Sequence, residues 1–175
     1  MLADTEPDPA ASAVPSPVAI RRAVADDLAA VIALDERVTG IGKPEYWQDI
    51  FERYSRRRPD QRFFLVAEKV PADEADGFLG FAVGEVRAWE FGSEPCGWVF
   101  AISVSPETRL RGVGKSLFRA MAAQFREVGI TVMRTMVARD NPLHMAFFRS
   151  EGMSGGPYLQ LEMDLMTDPD APELD

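Results

Sequence analysis

The stretch Arg109-Leu110-Arg111-Gly112-Val113-Gly114-Lys115 joins a predicted strand to a predicted helix. The residues before it, from Trp98 to Val104, are rich in β-branched and aromatic side chains, which is typical of a strand. After the glycines, apolar residues recur at the three- and four-residue spacing of a buried helix face, namely Leu117, Phe118, Met121, Ala122 and Phe125.

This loop has the chemistry of a phosphate site. The first N–H groups of a helix lack intrahelical acceptors and carry the positive end of the helix dipole, so they bind anionic oxygens. Arg109, Arg111 and Lys115 add positive charge there, although the chain as a whole carries a formal charge of -9. We therefore predict a bound pyrophosphate, with a basic turn that only caps the helix as the alternative.

Spacing excludes two common phosphate-binding motifs. A P-loop needs a glycine five positions before its Gly-Lys-Ser ending, and five positions before Gly114 this chain has Arg109. A dinucleotide fingerprint needs a third glycine three positions after Gly114, and that position is Leu117.

The pattern Arg109-x-x-Gly112-x-Gly114 resembles the Gln/Arg-x-x-Gly-x-Gly/Ala signature of the GNAT superfamily of acyl-CoA-dependent N-acetyltransferases. The segments 18–34 and 141–153 resemble that family's opening strand and helix and its downstream Asn-containing segment. The resemblance covers roughly residues 18 to 166 and implies the GNAT fold. That fold is a mixed α/β arrangement, a mostly antiparallel sheet with a β-α-β cofactor-binding core flanked by helices.

The predicted order of elements agrees with that fold. Four strands in meander order are followed by the glycine-loop helix and a fifth strand, and the third strand is predicted to run from about Phe78 to Trp89. The fifth is predicted at Thr131–Ala138, and a short helix follows at Pro142–Ser150. Tyr158–Leu165 alternates apolar and polar residues, which predicts a final strand able to extend or exchange a sheet and so allows a homodimer.

Length and composition indicate a single domain. The chain has 175 residues, of which 46% are hydrophobic, enough for one sizeable core. Residues 1–17 are rich in proline and lack Lys and Arg, so we predict a disordered lead-in. The domain is predicted to span 18–166, and 167–175 is predicted to be an acidic C-terminal tail.

Charge restricts the partners. Twenty-eight acidic residues outnumber 19 basic ones, which argues against nucleic acid and against an anionic membrane surface and favours a cationic substrate. No apolar run is long enough to span a bilayer, so the cytoplasm is the expected location. One histidine, His144, and one cysteine, Cys96, leave no plausible zinc cluster, and no metal is expected.

The resemblance implies transfer of an acetyl group from acetyl-CoA to a primary amine, by direct attack in a ternary complex. The backbone of Ile102, Ser103 and Val104 would hold the pantetheine arm. Asn141 would contact the cofactor or cap the helix at Pro142, or both. The pyrophosphate would lie against Arg109, Leu110, Arg111, Gly112, Val113, Gly114 and Lys115.

The chain departs from the family pattern at the catalytic acid. The family's usual tyrosine is replaced by Phe148, which cannot donate a proton and is expected to pack beside the cofactor sulfur. Tyr158 and Ser105 are the alternative donors, unless water supplies the proton. This departure keeps a second hypothesis open, a non-catalytic acyl-CoA-binding or sensing module.

The chain also departs from the family pattern at the general base. Many relatives have a glutamate on the fourth strand, and Gly97 to Val104 contains no carboxylate. Glu85 on the third strand is the candidate base, with an ordinary solvated strand residue as the alternative. Glu90 and Glu94 are candidates from the following loop.

An aromatic helical stripe runs from Tyr46 to Tyr54. Such a stripe is usually core. The resemblance, however, implies that Tyr46 or Trp47 lines the pocket for the acceptor.

Overall fold

The computed structural model describes residues 18–70, 77–107 and 112–165. The chain forms two compact units, 1–136 and 137–175. The predicted lead-in and acidic tail lie outside the described residues, and the predicted domain boundaries stay predictions.

The first unit contains a five-stranded sheet in the order β1-β2-β3-β4-β5. Neighbouring strands from β1 to β4 are antiparallel, and β5 runs parallel to β4. A parallel neighbour requires a crossover connection, and the helix at Val113–Glu127, called α3, supplies it. This mixed α/β arrangement confirms the predicted fold class. The strands are β1 (Val18–Arg22), β2 (Arg62–Lys69), β3 (Phe78–Arg87), β4 (Cys96–Val104) and β5 (Met133–Thr135).

Local sequence signals set the helix ends. Gly40 ends α1 in the left-handed conformation with φ 74°, and Pro44 occupies the first turn of α2, where its missing N–H costs nothing. No helix in the described ranges is both long and apolar enough to cross a membrane. The helices are α1 (Leu28–Thr39), α2 (Pro44–Ser55), α3 (Val113–Glu127) and α4 (Pro142–Ser150).

The sheet buries apolar side chains on both faces. Helices α1 and α2 cover one face, where Val31, Trp47 and Phe51 pack against Phe64 and Phe81 of the strands. Helix α3 covers the other face, with Phe63, Leu65, Ala82, Val99, Leu117, Met121 and Phe125 buried there. Burying both faces explains why β2 and β3 are almost continuously apolar.

Two buried carboxylates, Asp27 and Asp35, connect neighbouring secondary-structure elements. Asp27 accepts two hydrogen bonds from Arg21, at 2.7 and 2.8 Å, and one from the Val24 N–H. Asp35 of α1 accepts from the Trp47 indole N–H at 2.8 Å and lies 2.9 Å from Lys43 Nζ. Each carboxylate is therefore paired, as burial of a charge requires.

The predicted final strand Tyr158–Leu165 is wrong. This segment is irregular, and its apolar side chains Leu159, Leu161, Met163 and Leu165 are exposed. Alternation indicates that a segment can form a strand, but it does not by itself supply the ladder hydrogen bonds that make one.

Two further strands are shorter than predicted. Strand β3 ends at Arg87, because Trp89 adopts the left-handed region with φ 62°. The predicted strand Thr131–Ala138 is reduced to β5, which pairs with only three residues of β4.

Gly97→Ala tests the packing of α3 on β4. An added Cβ would lie 2.5 Å from ring atoms of Phe125, a fully buried side chain. We expect the free energy of unfolding to fall by about 1–3 kcal/mol, measured by chemical denaturation. Gly155→Ala is the control, because a Cβ there meets nothing within 4 Å. Equal stability of the two variants would contradict this packing.

Asp27→Asn tests the ion pair at β1. Burial opposes the charge on Asp27, but hydrogen bonds from Arg21 and the Val24 N–H outweigh it and lower the pKa of the carboxyl below its usual range. The pair therefore stabilises the fold above pH 4 and loses this effect as pH falls through the folded pKa. In pH-dependent unfolding, we expect the wild-type advantage over Asp27→Asn to shrink below about pH 4. Asp26→Asn, at an exposed position, should show no such dependence.

Candidate active site

A β-bulge in β4 is the centre of the candidate site. Val83 pairs with Ala101 and Gly84 pairs with Val99, so Phe100 is an extra residue in β4. Consequently Phe100 and Ala101 both pack on the face covered by α1 and α2. A bulge of this kind bends its strand and interrupts the ladder.

Strand β4 separates from β5 at the same place. Strand β5 is in register only with Gly97, Trp98 and Val99, and the Thr135 hydroxyl donates to the Val99 carbonyl at 2.8 Å. The predicted pantetheine-binding residues Ile102, Ser103 and Val104 follow the bulge. They pair with Ala82, Phe81 and Gly80 of β3, and no strand in the described part of the chain pairs with their other side.

The start of α3 has the geometry of an anion site. Gly112 is its N-cap residue with φ 77°, and the helical hydrogen bonds begin with Ser116 N–H donating to the Gly112 carbonyl at 3.0 Å. The N–H groups of Val113 and Gly114 therefore precede the first helical bond. Lys115 is exposed beside them. The predicted residues Arg109, Leu110 and Arg111 lie outside the described residues.

Ser105 anchors the segment that leads from β4 towards α3. Its N–H donates to the Leu79 carbonyl at 2.8 Å, and its hydroxyl donates to Glu107 and accepts from Arg37 of α1 at 3.1 Å. The hydroxyl that was a candidate proton donor is thus bound within the protein. Its role here is to attach the segment to α1.

Glu85 lies on β3 with 20% of its side chain exposed and is held by two hydrogen bonds. One of its carboxylate oxygens accepts from the Tyr54 hydroxyl at 2.6 Å, and the other accepts from Arg87 Nε at 3.1 Å. Glu90 and Glu94, the other candidate bases, are exposed in the loop after β3. Among these three glutamates, only Glu85 is held by a buried partner.

Tyr54 is the site residue that sequence reasoning missed. The sequence places it in the aromatic helical stripe, and its side chain is buried, with 5% exposed. Burial, followed by the hydrogen bond to Glu85, raises the pKa of its hydroxyl above the usual range. Its ring lies edge-on to Phe100 with the centroids 5.3 Å apart. The one available signal was a hydroxyl in an otherwise apolar helix face.

The two predicted acceptor-pocket residues differ in burial. Trp47 is 2% exposed and lies in the core, where its indole N–H donates to Asp35. Tyr46 is 44% exposed, and its ring packs against the Trp47 ring at 5.1 Å. Burial raises the pKa of the Tyr46 hydroxyl. Only Tyr46 of the two presents a surface that a ligand can reach.

The second unit holds the remaining predicted residues. The Asn141 side chain accepts from the His144 N–H at 3.0 Å and so caps α4, as one of its two predicted roles requires. Phe148 is buried, and its ring lies 5.1 Å from that of Phe147. His144 and Tyr158 are exposed. Within the described ranges, no group of three or more His, Cys, Asp or Glu residues is arranged to hold a metal ion.

The model of the acetyltransferase (GNAT) family matches residues 28–153, which is most of the chain. The protein belongs to this family. The match runs from the start of α1 to just beyond α4 and so includes the bulge, the glycine loop and Phe148.

Individual relatives are more distant. A mycothiol acetyltransferase of Kocuria rhizophila is 32% identical over 104 residues, which is 59% of this chain and 34% of that protein. An L-2,4-diaminobutyric acid acetyltransferase of Nocardia farcinica is 31% identical over 87 residues, 49% of this chain and 44% of that protein. The chain thus spans less than half the length of these curated relatives.

A solved structure shares the fold. An aminoglycoside N-acetyltransferase in complex with CoA superposes with a TM-score of 0.72, covering 86% of this chain and 96% of that one, at 18% sequence identity.

Proposed function

We propose that this GNAT protein transfers an acetyl group from acetyl-CoA to a primary amine, by direct attack in a ternary complex. The observation that carries the proposal is the edge of β4 beyond Val99, which leaves β5 and leads towards the α3 N-terminus. An unpaired strand edge offers amide partners to an extended ligand. A helix N-terminus offers N–H groups to phosphates.

The donor site follows from that arrangement. The backbone of Ile102, Ser103 and Val104 would pair with the amides of the pantetheine arm. Gly112, Val113, Gly114 and Lys115, together with Arg109, Leu110 and Arg111, would hold the pyrophosphate. For Asn141 and Phe148, contact with the cofactor stays a prediction. The CoA found with the similar aminoglycoside N-acetyltransferase supports this choice of donor.

The acceptor side is assigned to Glu85 and Tyr46. Glu85 would take the proton from the ammonium form of the acceptor, directly or through one water, which prepares the amine to attack the thioester. Tyr46 would form one wall of the pocket. The acidic balance of the chain, with a formal charge of -9, favours a cationic acceptor over an anionic one.

The reaction does not require a tyrosine at position 148. After the amine attacks, the tetrahedral intermediate expels the CoA thiolate. The thiolate of a thiol with a pKa of about 8.5 is a good leaving group near neutral pH. Water can then supply the proton. Positioning of the two substrates accounts for most of the rate enhancement in such a mechanism.

The alternative function is a non-catalytic acyl-CoA-binding or sensing module. Phe148 favours it, since a site that has lost its acid can still bind the donor. The two functions differ in turnover. A homodimer and a cytoplasmic location stay predictions under either function.

A thiol-release assay with acetyl-CoA and a panel of amines separates the two functions. We expect thiol release that depends on the amine and matches the amount of acetylated amine by mass spectrometry. Cationic amines should give higher kcat/KM than neutral or anionic ones. Tight acetyl-CoA binding without turnover on any amine would contradict the transferase and support the sensing module.

Gly112→Ala tests the proposed pyrophosphate site. A non-glycine residue in the left-handed conformation costs roughly 1–2 kcal/mol, so the loop will leave its present geometry. We expect the Kd for CoA to rise about tenfold in calorimetry. Gly92→Ala is the matched control, because Gly92 has φ 74° and, like Gly112, open space around a Cβ. Unchanged CoA affinity in Gly112→Ala would contradict the site.

A further inference from the structure

We propose that Tyr54 is a positioning residue that holds the Glu85 carboxylate in place for proton transfer from the acceptor amine. The inference rests on the proposed role of Glu85 as general base. It assigns a function to a side chain that belongs, by sequence, to the apolar face of α2. Three features carry it, namely hydrogen-bond geometry, burial and the link to the β4 bulge.

The hydrogen bonds fix the carboxylate without saturating it. Tyr54 donates to one oxygen of Glu85 at 2.6 Å and Arg87 donates to the other at 3.1 Å. An ionised carboxylate offers about four acceptor positions, so one on each oxygen remains for the ammonium or a bridging water. Two donors on different elements fix the side-chain torsions, which is what a base with a defined target needs.

Burial makes Tyr54 a permanent donor. Because the Tyr54 hydroxyl is removed from solvent and faces a carboxylate, its pKa lies above the usual range. The phenol therefore keeps its proton throughout the pH range in which an amine is acetylated. A protonated phenol next to a carboxylate always donates, so the hydrogen bond from Tyr54 to Glu85 does not change with pH.

The Tyr54 ring connects this base to the site of acyl transfer. It packs edge-on against Phe100, the extra residue of the bulge, where β4 separates from β5. The guanidinium of Arg62 lies over the ring, 5.2 Å from its centroid. Tyr54 thus contacts the bulge through its ring and the Glu85 carboxylate through its hydroxyl.

Other charged groups face the pair from each neighbouring element. Arg53 of α2 and Arg62 of β2 act on the Tyr54 hydroxyl through their charge. Arg87 of β3 binds Glu85 and lies 3.9 Å from Glu90. On the β4 side, the register partner of Glu85 is Trp98, which carries no charge. Arg87 does not depend on the Tyr54 hydroxyl, so its contact with Glu85 is present in every variant that changes only Tyr54.

Tyr54→Phe is the test, because it removes one oxygen and keeps the ring on Phe100. We expect kcat for the best amine to fall about tenfold to hundredfold, the effect of losing a hydrogen bond to a charged group. The KM for acetyl-CoA should stay within about twofold. The acidic limb of the kcat/KM profile should move to higher pH, because a carboxylate that loses a donor holds its proton more tightly.

A double-mutant cycle with Glu85→Gln makes the test specific. Glu85→Gln alone should lose about a hundredfold or more, the usual contribution of a general base. Adding Tyr54→Phe to it should cost little further, because the carboxylate that Tyr54 positions is already gone. Independent, multiplicative losses would overturn the inference.

Three other outcomes distinguish a failure of the inference from a failure of the proposed function. Absence of turnover in the wild type overturns both, and full activity of Glu85→Gln removes the base that Tyr54 is said to hold. A large loss in Glu85→Gln with an unchanged rate and pH profile in Tyr54→Phe overturns the inference alone.

Two further variants distinguish the loss of a positioning hydrogen bond from a folding defect. Phe51→Leu disturbs the same core from the same helix, with its ring against Phe64, and should leave the pH profile unchanged. A ring-fluorinated tyrosine at position 54 is a stronger donor of the same shape, and it should move the acidic limb to lower pH. A shift in the same direction as that of Tyr54→Phe would overturn the inference.

Discussion

The extra residue at Phe100 is the constraint on which the site depends. Because of it, two successive residues of β4, Phe100 and Ala101, pack on the same face of the sheet. The strand bends there, and its pairing with β5 ends at Val99. The end of the pairing with β5 and the contact with Tyr54 both lie at this single irregularity.

Buried and half-buried carboxylates that accept several hydrogen bonds are a second feature of this acidic protein. Asp27, Asp35 and Glu85 are each removed from water to different extents, and each accepts from two or more donors on other residues. For Asp27, whose burial opposes its charge, the hydrogen bonds from Arg21 and the Val24 N–H outweigh burial and lower the pKa of the carboxyl. Asp27 and Asp35 connect structural elements, whereas Glu85 lies beside the bulge. The same local chemistry thus connects elements at two positions and holds the proposed general base at the third.

Most of the fold followed from periodicity and turn residues. The meander of four strands, the glycine-loop helix and the Pro142 helix were predicted correctly, because each has a strong local pattern. The errors concern strands whose existence depends on a partner. Tyr158–Leu165 alternates perfectly and still forms no strand in the structure, and β5 ends where β4 bends away. Propensity indicates that a segment can form a strand, but only a neighbour makes it one.

Short sequence motifs predicted the family, the α/β fold and the glycine loop with Gly112 at the start of α3, because the residues of each motif lie close together in the chain. They also showed that position 148 holds Phe, which lacks a hydroxyl. The hydrogen bond from Tyr54 to Glu85 became visible only in the three-dimensional fold, because the two residues are 31 positions apart. A hydrogen bond between a helix and a strand has no local signature, since it exists only after the core has brought both elements together.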